Sequence, residues 1–313
     1  MNFTTKISIL KSEYEVSHQS NLVLLGSCFA ENMGVKFDYF KFQNCTNPFG
    51  ILFNPISIEK TIYRALNDES FSEKDIFFHD GFWKCFEVHS DLNTIEKDAF
   101  LICLNKILTD FKTQICQASH FFFTLGTAWV YRYLPSNAVV GNCHKVAQNQ
   151  FKKEILHVET IQNSIQNSIS IIRKANPNCK FVFTISPVRH LKDGFIENQI
   201  SKAHLTCAVH QLQLDGCSYF PSYEIMMDEL RDYRFYAKDM LHPSETAIDY
   251  IWKRFTETYF AAETIGINTE IDVIQKALLH RSNNENSEIH LKFLKILAVK
   301  IDQFTTRNPE IKW

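Results

Sequence analysis

Apolar residues follow two patterns along the chain. Continuous apolar runs occupy 21–25, 120–124 and 180–185, with a shorter run at 217–220. Runs of this length predict strands that are buried on both faces. Between them, apolar side chains recur every three or four positions, which predicts amphipathic helices. Strands that alternate with helices in this way form a parallel sheet covered on both faces, so the pattern predicts an α/β fold.

The same spacing places the helices. One follows the run at 21–25, where Phe29 and Met33 begin a helical repeat. A second follows Asn54-Pro55, with the proline near its start, where proline is well tolerated. The remaining helices of the main sheet are predicted at 94–116, 152–174, 197–212 and 244–260.

Two regions lie outside this alternation. Asp80-Gly81 stands between β-forming residues, which predicts a hairpin inserted beside the main sheet at about 75–92. The segment 269–304 predicts additional helices, separated by the polar linker Asn283-Asn284-Glu285-Asn286. We therefore expect a main domain at 1–262 and a C-terminal helical extension at 263–313.

Charge and hydropathy argue against two classes of partner. The formal net charge of the 313 residues is -2 and no long basic run is present, so no nucleic-acid partner is expected. No stretch has the length needed to cross a bilayer. The segment Met1–Lys6 lacks the features of a signal peptide, and we expect a cytoplasmic protein.

The cysteines do not indicate a disulfide framework or a metal site. There are nine of them, an odd number, and no Cys-x-x-Cys pair occurs. Cys143-His144 is the nearest approach to a ligand pair, but adjacent residues rarely bind one ion and no second pair lies nearby. No metal and no cofactor are expected.

Small and polar residues follow the predicted buried strands. Ser27-Cys28, Gly126-Thr127 and Ser186-Pro187 each stand where a strand ends. Open parallel sheets bind ligands beyond the carboxyl ends of their strands. We therefore expect these three segments to contribute to one site.

Four segments in order resemble the GSCFA family. They are LGSCFAEN at 25–32, LGTAWVY at 125–131, GNCHK at 141–145 and SPVRHLKDG at 186–194. GSCFA proteins are similar to SGNH (GDSL-like) hydrolases, and the resemblance implies a three-layer α/β/α fold with a mainly parallel, flavodoxin-like sheet. It also implies a catalytic domain at 1–262 whose activity lies among esterases, lipases and sugar O-acyl esterases or transferases.

The resemblance assigns roles to individual residues. In the first superfamily block, Gly-Asp-Ser, Cys28 takes the position of the serine nucleophile, and the adjacent Ser27 is the other candidate. The later Asp-x-x-His block matches Asp239 and His242. Gly126 fits the glycine of the Gly-x-Asn block, but Ala128 replaces the asparagine that would bind the oxyanion.

These residue types suit acyl transfer. A helix N-terminus favours a thiolate, so we expect the pKa of Cys28 to be lowered and His242 to act as its base. Asp239, three residues earlier, can orient the imidazole. The backbone N–H groups of Cys28 and Gly50 are expected oxyanion donors, and Asn142 is the expected replacement for the missing side chain.

Each assignment has a structural alternative. Cys28 can be a small buried hydrophobic residue, and Ser27 can simply cap the helix, which we expect to be its main role. His144 and His190 can be structural, and Arg189 can form a surface salt bridge rather than bind an anionic substrate group. Two tryptophans are candidate pocket walls or core residues, Trp83 and Trp129.

Three functions follow from these observations. The first is hydrolysis of an O-acyl ester of a small molecule or carbohydrate. The second is O-acyl transfer to an alcohol at the same site. The third is a ligand-binding protein without catalysis, which the Ala128 substitution favours. The sequence leaves the oligomeric state open.

Overall fold

A parallel sheet of five strands forms the centre of the molecule in the computed structural model, which describes residues 4–212, 214–284 and 286–313. Two predictions fall partly outside the described residues: the absence of a signal peptide, which includes Met1–Phe3, and the polar linker, which includes Glu285. The strands are β1 (Asn21–Gly26), β2 (Gln43–Thr46), β3 (Phe77–His79), β4 (Phe82–Lys84), β5 (His120–Leu125), β6 (Trp129–Tyr133), β7 (Ala138–Val140), β8 (Phe151–Ile155), β9 (Lys180–Ile185) and β10 (Cys217–Tyr219).

The helices alternate with the strands of this sheet. They are α1 (Cys28–Tyr39), α2 (Pro55–Leu66), α3 (Lys97–Gln117), α4 (Val158–Ala175), α5 (Phe195–His210), the short α6 (Ser222–Glu224), α7 (Glu245–Tyr259), α8 (Ala262–Leu278) and α9 (Glu288–Arg307). A π-helical turn, Ile225–Glu229, directly follows α6. The strand order is β10-β9-β5-β1-β2 with every pairing parallel, which is the flavodoxin-like order. The predicted fold is confirmed.

Successive phenylalanines of β5 explain the three layers. Phe121 and Phe123 point into the core that α2, α3, α4 and α5 form on one face of the sheet. Phe122 points to the opposite face, where α1 and α7 pack. Side chains alternate between the faces of a strand, so a continuous apolar run supplies both cores.

Two small antiparallel sheets stand beside the main sheet. The predicted hairpin is present as β3 and β4, with Asp80 and Gly81 both at positive φ in the turn. A second sheet of order β7-β6-β8 was not predicted. It includes Lys152–Ile155, the beginning of the helix predicted at 152–174, so that helix starts only at Val158. The pairing of β8 with β6 overrides the helical spacing.

The C-terminal helices pack on the end of α1. The phenol of Tyr39 donates a hydrogen bond to Asp272 in α8 (2.9 Å), and Gln275 donates to the Tyr39 carbonyl (2.8 Å). Ile271 and Ile274 of α8 form a small core with Leu297 and Phe304 of α9. None of the helices in the described parts of the chain combines the length and apolar character needed to cross a bilayer.

Candidate active site

The turn between β1 and α1 requires glycine at its first position. Gly26 has a φ of +144°, and a Cβ there would lie 2.1 Å from the Thr124 carbonyl oxygen of the neighbouring strand β5. The Ser27 N–H donates to the same oxygen at 3.0 Å. This close approach of β1 to β5 fixes where α1 begins.

Ser27 caps α1. Its Oγ accepts a hydrogen bond from the Phe29 N–H at 3.2 Å, and its side chain is buried at 1% exposure. An oxygen used in this way is a helix cap of the ordinary kind. The predicted cap is therefore present.

Cys28 is the first residue of α1 and is partly exposed. Burial and then the Glu31 carboxylate raise the pKa of its thiol, whereas its own N–H, the charge of Lys202 and the Phe29 N–H oppose the rise. The net direction is upward, so the expected lowering is wrong. The helix N-terminus does act on the sulfur, but desolvation of the thiolate outweighs it.

Asp239 and His242 form a hydrogen-bonded pair. The distance from Asp239 Oδ2 to His242 Nδ1 is 2.6 Å, and the other carboxylate oxygen accepts from the backbone N–H groups of Leu241 (2.9 Å) and His242 (3.0 Å). These two N–H groups and the imidazole lower the pKa of Asp239 to about 2. The expected contact is therefore present, in a turn before α7 that has Met240 at positive φ rather than in a helical turn. An ionised carboxylate at Nδ1 leaves Nε2 for proton transfer.

The loop after β9 connects this pair to the sheet. The Arg189 N–H donates to the Leu241 carbonyl at 3.2 Å. His190 lies close to Gly126 at the end of β5, because a Cβ on Gly126 would be 3.3 Å from His190 Nε2. Burial, and then the charges of Lys202 and His242, lower the pKa of His190 to about 3. The three predicted strand ends and the Asp239–His242 turn therefore lie at one edge of the sheet.

Lys202 is a site residue that sequence reasoning missed. It lies on α5 at 1% exposure, and its ammonium donates to the carbonyls of Gly126 and Ser186, both at 2.8 Å. Burial lowers its pKa to about 7, while Cys28 opposes this. The sequence carried one signal: Asn198, Ser201 and Lys202 share the buried face of α5 with Leu205.

Asn47 is the second residue missed. Its Oδ1 accepts the Gly26 N–H at 2.9 Å, which fixes the orientation of the amide. Its buried Nδ2 has no hydrogen-bond partner within the described residues. A buried amide donor without a partner, one hydrogen bond from the β1–α1 turn, can serve as an oxyanion donor.

The expectation for Gly50 is wrong. Its N–H donates to the Asn47 carbonyl at 2.7 Å inside a tight turn, and is therefore unavailable to an oxyanion. The Gly126 N–H is likewise taken, by the Phe53 carbonyl at 2.8 Å. Glycine is needed at position 126 for lack of space, because a Cβ there would lie 2.7 Å from the side chain of Phe53.

Several other predicted site residues line a cavity of about 400 Å³. Asn142, His144, His190 and Trp129 all line it. The His144 ring is buried, with its Nε2 2.7 Å from the Cys85 carbonyl, and burial lowers its pKa to about 4, which favours a structural role. Asn142 uses its Oδ1 to accept the His144 N–H, at 2.8 Å.

The two tryptophans differ. Trp129 lines the cavity, and its indole N–H donates to the Glu197 carbonyl at 3.1 Å. Trp83 lies on the hairpin instead, where Lys97 packs over its ring and its backbone pairs with Thr94. Of the two candidate walls, Trp129 faces this cavity.

The chain was compared with protein families, curated proteins and solved structures. The model of the GSCFA family matches residues 21–255. No curated protein matches the chain. Five chains of solved structures match, among them the crystal structure of a carbohydrate esterase family 3 from Talaromyces cellulolyticus. That match has 9% identity and a TM-score of 0.36, and it covers 80% of this chain and 98% of that one.

Proposed function

The chain belongs to the GSCFA family, and we propose that it is an ester hydrolase that uses Cys28 as nucleophile and the Asp239–His242 pair as its base. The 2.6 Å contact between Asp239 and His242, at the sheet edge where the β1–α1 turn also ends, is the observation that carries the proposal. One oxygen of Asp239 holds the turn through two backbone N–H groups, and the other orients the imidazole as the acid of a catalytic triad does. The proposed catalytic unit is 1–262, with 263–313 as an extension.

In the proposed reaction, His242 Nε2 takes the thiol proton as the Cys28 sulfur attacks the ester carbonyl carbon. The raised pKa of Cys28 makes this base necessary, because little thiolate exists without it. The N–H of Cys28 and the Nδ2 of Asn47 stabilise the negative oxygen of the tetrahedral intermediate.

Collapse of that intermediate breaks the ester C–O bond, and His242 returns the proton to the departing alcohol. The acyl group is left as a thioester on Cys28. Water, deprotonated by His242, then attacks the thioester carbonyl. The C–S bond breaks, the acid is released, and His242 returns the proton to the Cys28 sulfur. Asp239 holds Nδ1 protonated throughout and stabilises the imidazolium.

We propose an O-acyl ester of a small molecule or carbohydrate as the substrate. The cavity of about 400 Å³ is within the usual range for small ligands. Trp129 offers an aromatic wall to a sugar ring or acyl chain, and Thr127 and Asn142 add polar groups.

Hydrolysis of p-nitrophenyl acetate tests the proposal. His242→Ala and Cys28→Ala are each expected to reduce kcat roughly 10⁴-fold or more, because triad members act as a unit. Cys103→Ala, at an exposed cysteine of α3, is the matched control and should keep full activity. Full turnover in both Cys28→Ala and Ser27→Ala would refute a covalent mechanism.

The same assay separates the alternatives. Release of p-nitrophenol that requires added glycerol or a sugar alcohol would show an acyltransferase. Absence of turnover with any acceptor, in protein that still binds esters, would show a non-catalytic ligand-binding protein.

A further inference from the structure

A second cavity, of about 380 Å³, lies beside the Asp239–His242 turn. Asp239, Met240 and Leu241 form part of its wall, and Arg189 from the loop after β9 forms another part. Aromatic side chains complete it, Phe195, Tyr233 and Tyr236. The cavity is thus apolar on several sides and directly adjoins the proposed base.

The other charged groups of this cavity already have partners. Asp239 is held by His242, and Asp232 accepts from Arg234 at 2.9 Å. Arg231 pairs with Asp228 at 2.8 Å. Arg231 and Asp232 are thus balanced by opposite charges, and the Asp239 carboxylate has its hydrogen bonds filled, so none of these groups requires a ligand.

Arg189 differs from them. Within the described residues it forms no ion pair with a carboxylate, and its buried Nε has no hydrogen-bond partner. Its guanidinium lies 5.7 Å from the centre of the Phe195 ring. A partly buried cation without a counter-charge is costly, and an anion in the cavity would relieve that cost.

A backbone hydrogen bond holds Arg189 beside the Asp239–His242 turn. Its N–H bonds to the Leu241 carbonyl, one residue before His242. A guanidinium presents a planar fork of donors that matches the oxygens of a carboxylate or phosphate. An anion bound by this fork would therefore place the rest of its molecule within reach of the base.

We propose that Arg189 binds an anionic group, a carboxylate or phosphate, carried on the substrate by a short apolar chain. The apolar chain lies against Phe195, Tyr233 and Met240. The inference rests on the proposed function, because it assumes that this molecule is the ester. It narrows the substrates to esters with a negative charge, such as half-esters of dicarboxylic acids.

Calorimetric titration with hexanoate, hexyl phosphate and uncharged hexanamide tests the site without turnover. The wild type is expected to bind at least one of the two anions about tenfold or more tightly than hexanamide. The tighter of the two identifies carboxylate or phosphate as the preferred group. Equal affinity for all three probes would overturn the proposal.

Three variants test whether Arg189 causes the preference for anions. Arg189→Gln is expected to abolish it, and Arg189→Lys, which keeps the charge but loses the fork, to retain part of it. Arg281→Gln is the matched control, because Arg281 is exposed after α8 and does not line the cavity. An anion preference that persists in Arg189→Gln would also overturn the proposal.

Kinetics separate this inference from the proposed function. Arg189→Gln is expected to raise KM for p-nitrophenyl hemisuccinate about tenfold more than it raises KM for p-nitrophenyl butyrate. Turnover of both esters without an effect of Arg189 refutes the anion site alone. Anion binding that depends on Arg189, in a protein that hydrolyses neither ester, supports the site and refutes the hydrolase.

Discussion

Replacing Lys202 with methionine should make the stability of the protein depend differently on pH. Burial lowers the pKa of Lys202 from 10.5 to about 7, so the unfolded chain holds this proton over a pH range in which the folded protein has lost it. Unfolding in that range takes up a proton, and the free energy of unfolding therefore rises with pH until the ordinary pKa is reached. Methionine fills a similar volume and removes this linkage.

The magnitude follows from the two pKa values. Each pH unit between them is worth up to about 1.4 kcal/mol. Between pH 6.5 and pH 9.5 the wild type should gain roughly 3 kcal/mol of stability relative to Lys202→Met. The carbonyls of Gly126 and Ser186 lose their donor in the variant, but that cost is common to both pH values and cancels.

Urea denaturation at the two pH values, followed by tryptophan fluorescence, measures the difference. Lys174→Met, at an exposed position of α4, is the matched control and should keep the pH dependence of the wild type. A stability difference between wild type and Lys202→Met that does not change with pH would show that Lys202 has no lowered pKa. A change of opposite sign would refute the reasoning as well.

Three further predictions concern the β1–α1 turn. Gly26→Ala should lower the free energy of unfolding by more than about 2 kcal/mol, because of its positive φ and the clash with Thr124; a nearly unchanged Tm would contradict this. Ser27→Ala should cost about 1 kcal/mol through loss of the cap while leaving ester turnover intact, and loss of turnover in a folded variant would make Ser27 the nucleophile. At pH 7 iodoacetamide should label Cys28 more slowly than the exposed Cys103, and the labelling of Cys28 should speed up as the pH rises above 9. Faster labelling of Cys28 than of Cys103 at pH 7 would contradict the raised pKa of Cys28.

The main sheet was predictable because its inner strands are apolar without interruption. β1, β5 and β9 are buried along nearly their whole length, and few other structures bury such runs on both sides. β2 and β8 were not predicted because their residues are mostly polar or partly exposed. Such strands depend on pairing with a neighbour, which a local pattern does not contain.

Only those site residues that lie close together in the sequence could be predicted. Asp239 and His242 are three residues apart, and Ser27 and Cys28 are adjacent. Asn47, just after β2, and Lys202, on α5, reach the same edge through hydrogen bonds to Gly26 and to two strand ends. The direction of the Cys28 pKa could not be predicted either, because it depends on how much solvent the folded chain removes from the sulfur.

The order of the strands has a consequence for aggregation. The segments most prone to aggregate, such as the phenylalanine-rich β5 and β9, are inner strands with a neighbour on both sides. The outer strands of the sheet are β2 and β10, which have only four and three residues. Short outer strands offer little backbone for another chain to add to, which protects a protein with 27 phenylalanines from joining others edge to edge. That protection exists only once the inner strands have paired. The risk of aggregation is therefore greatest during folding, before the sheet has formed.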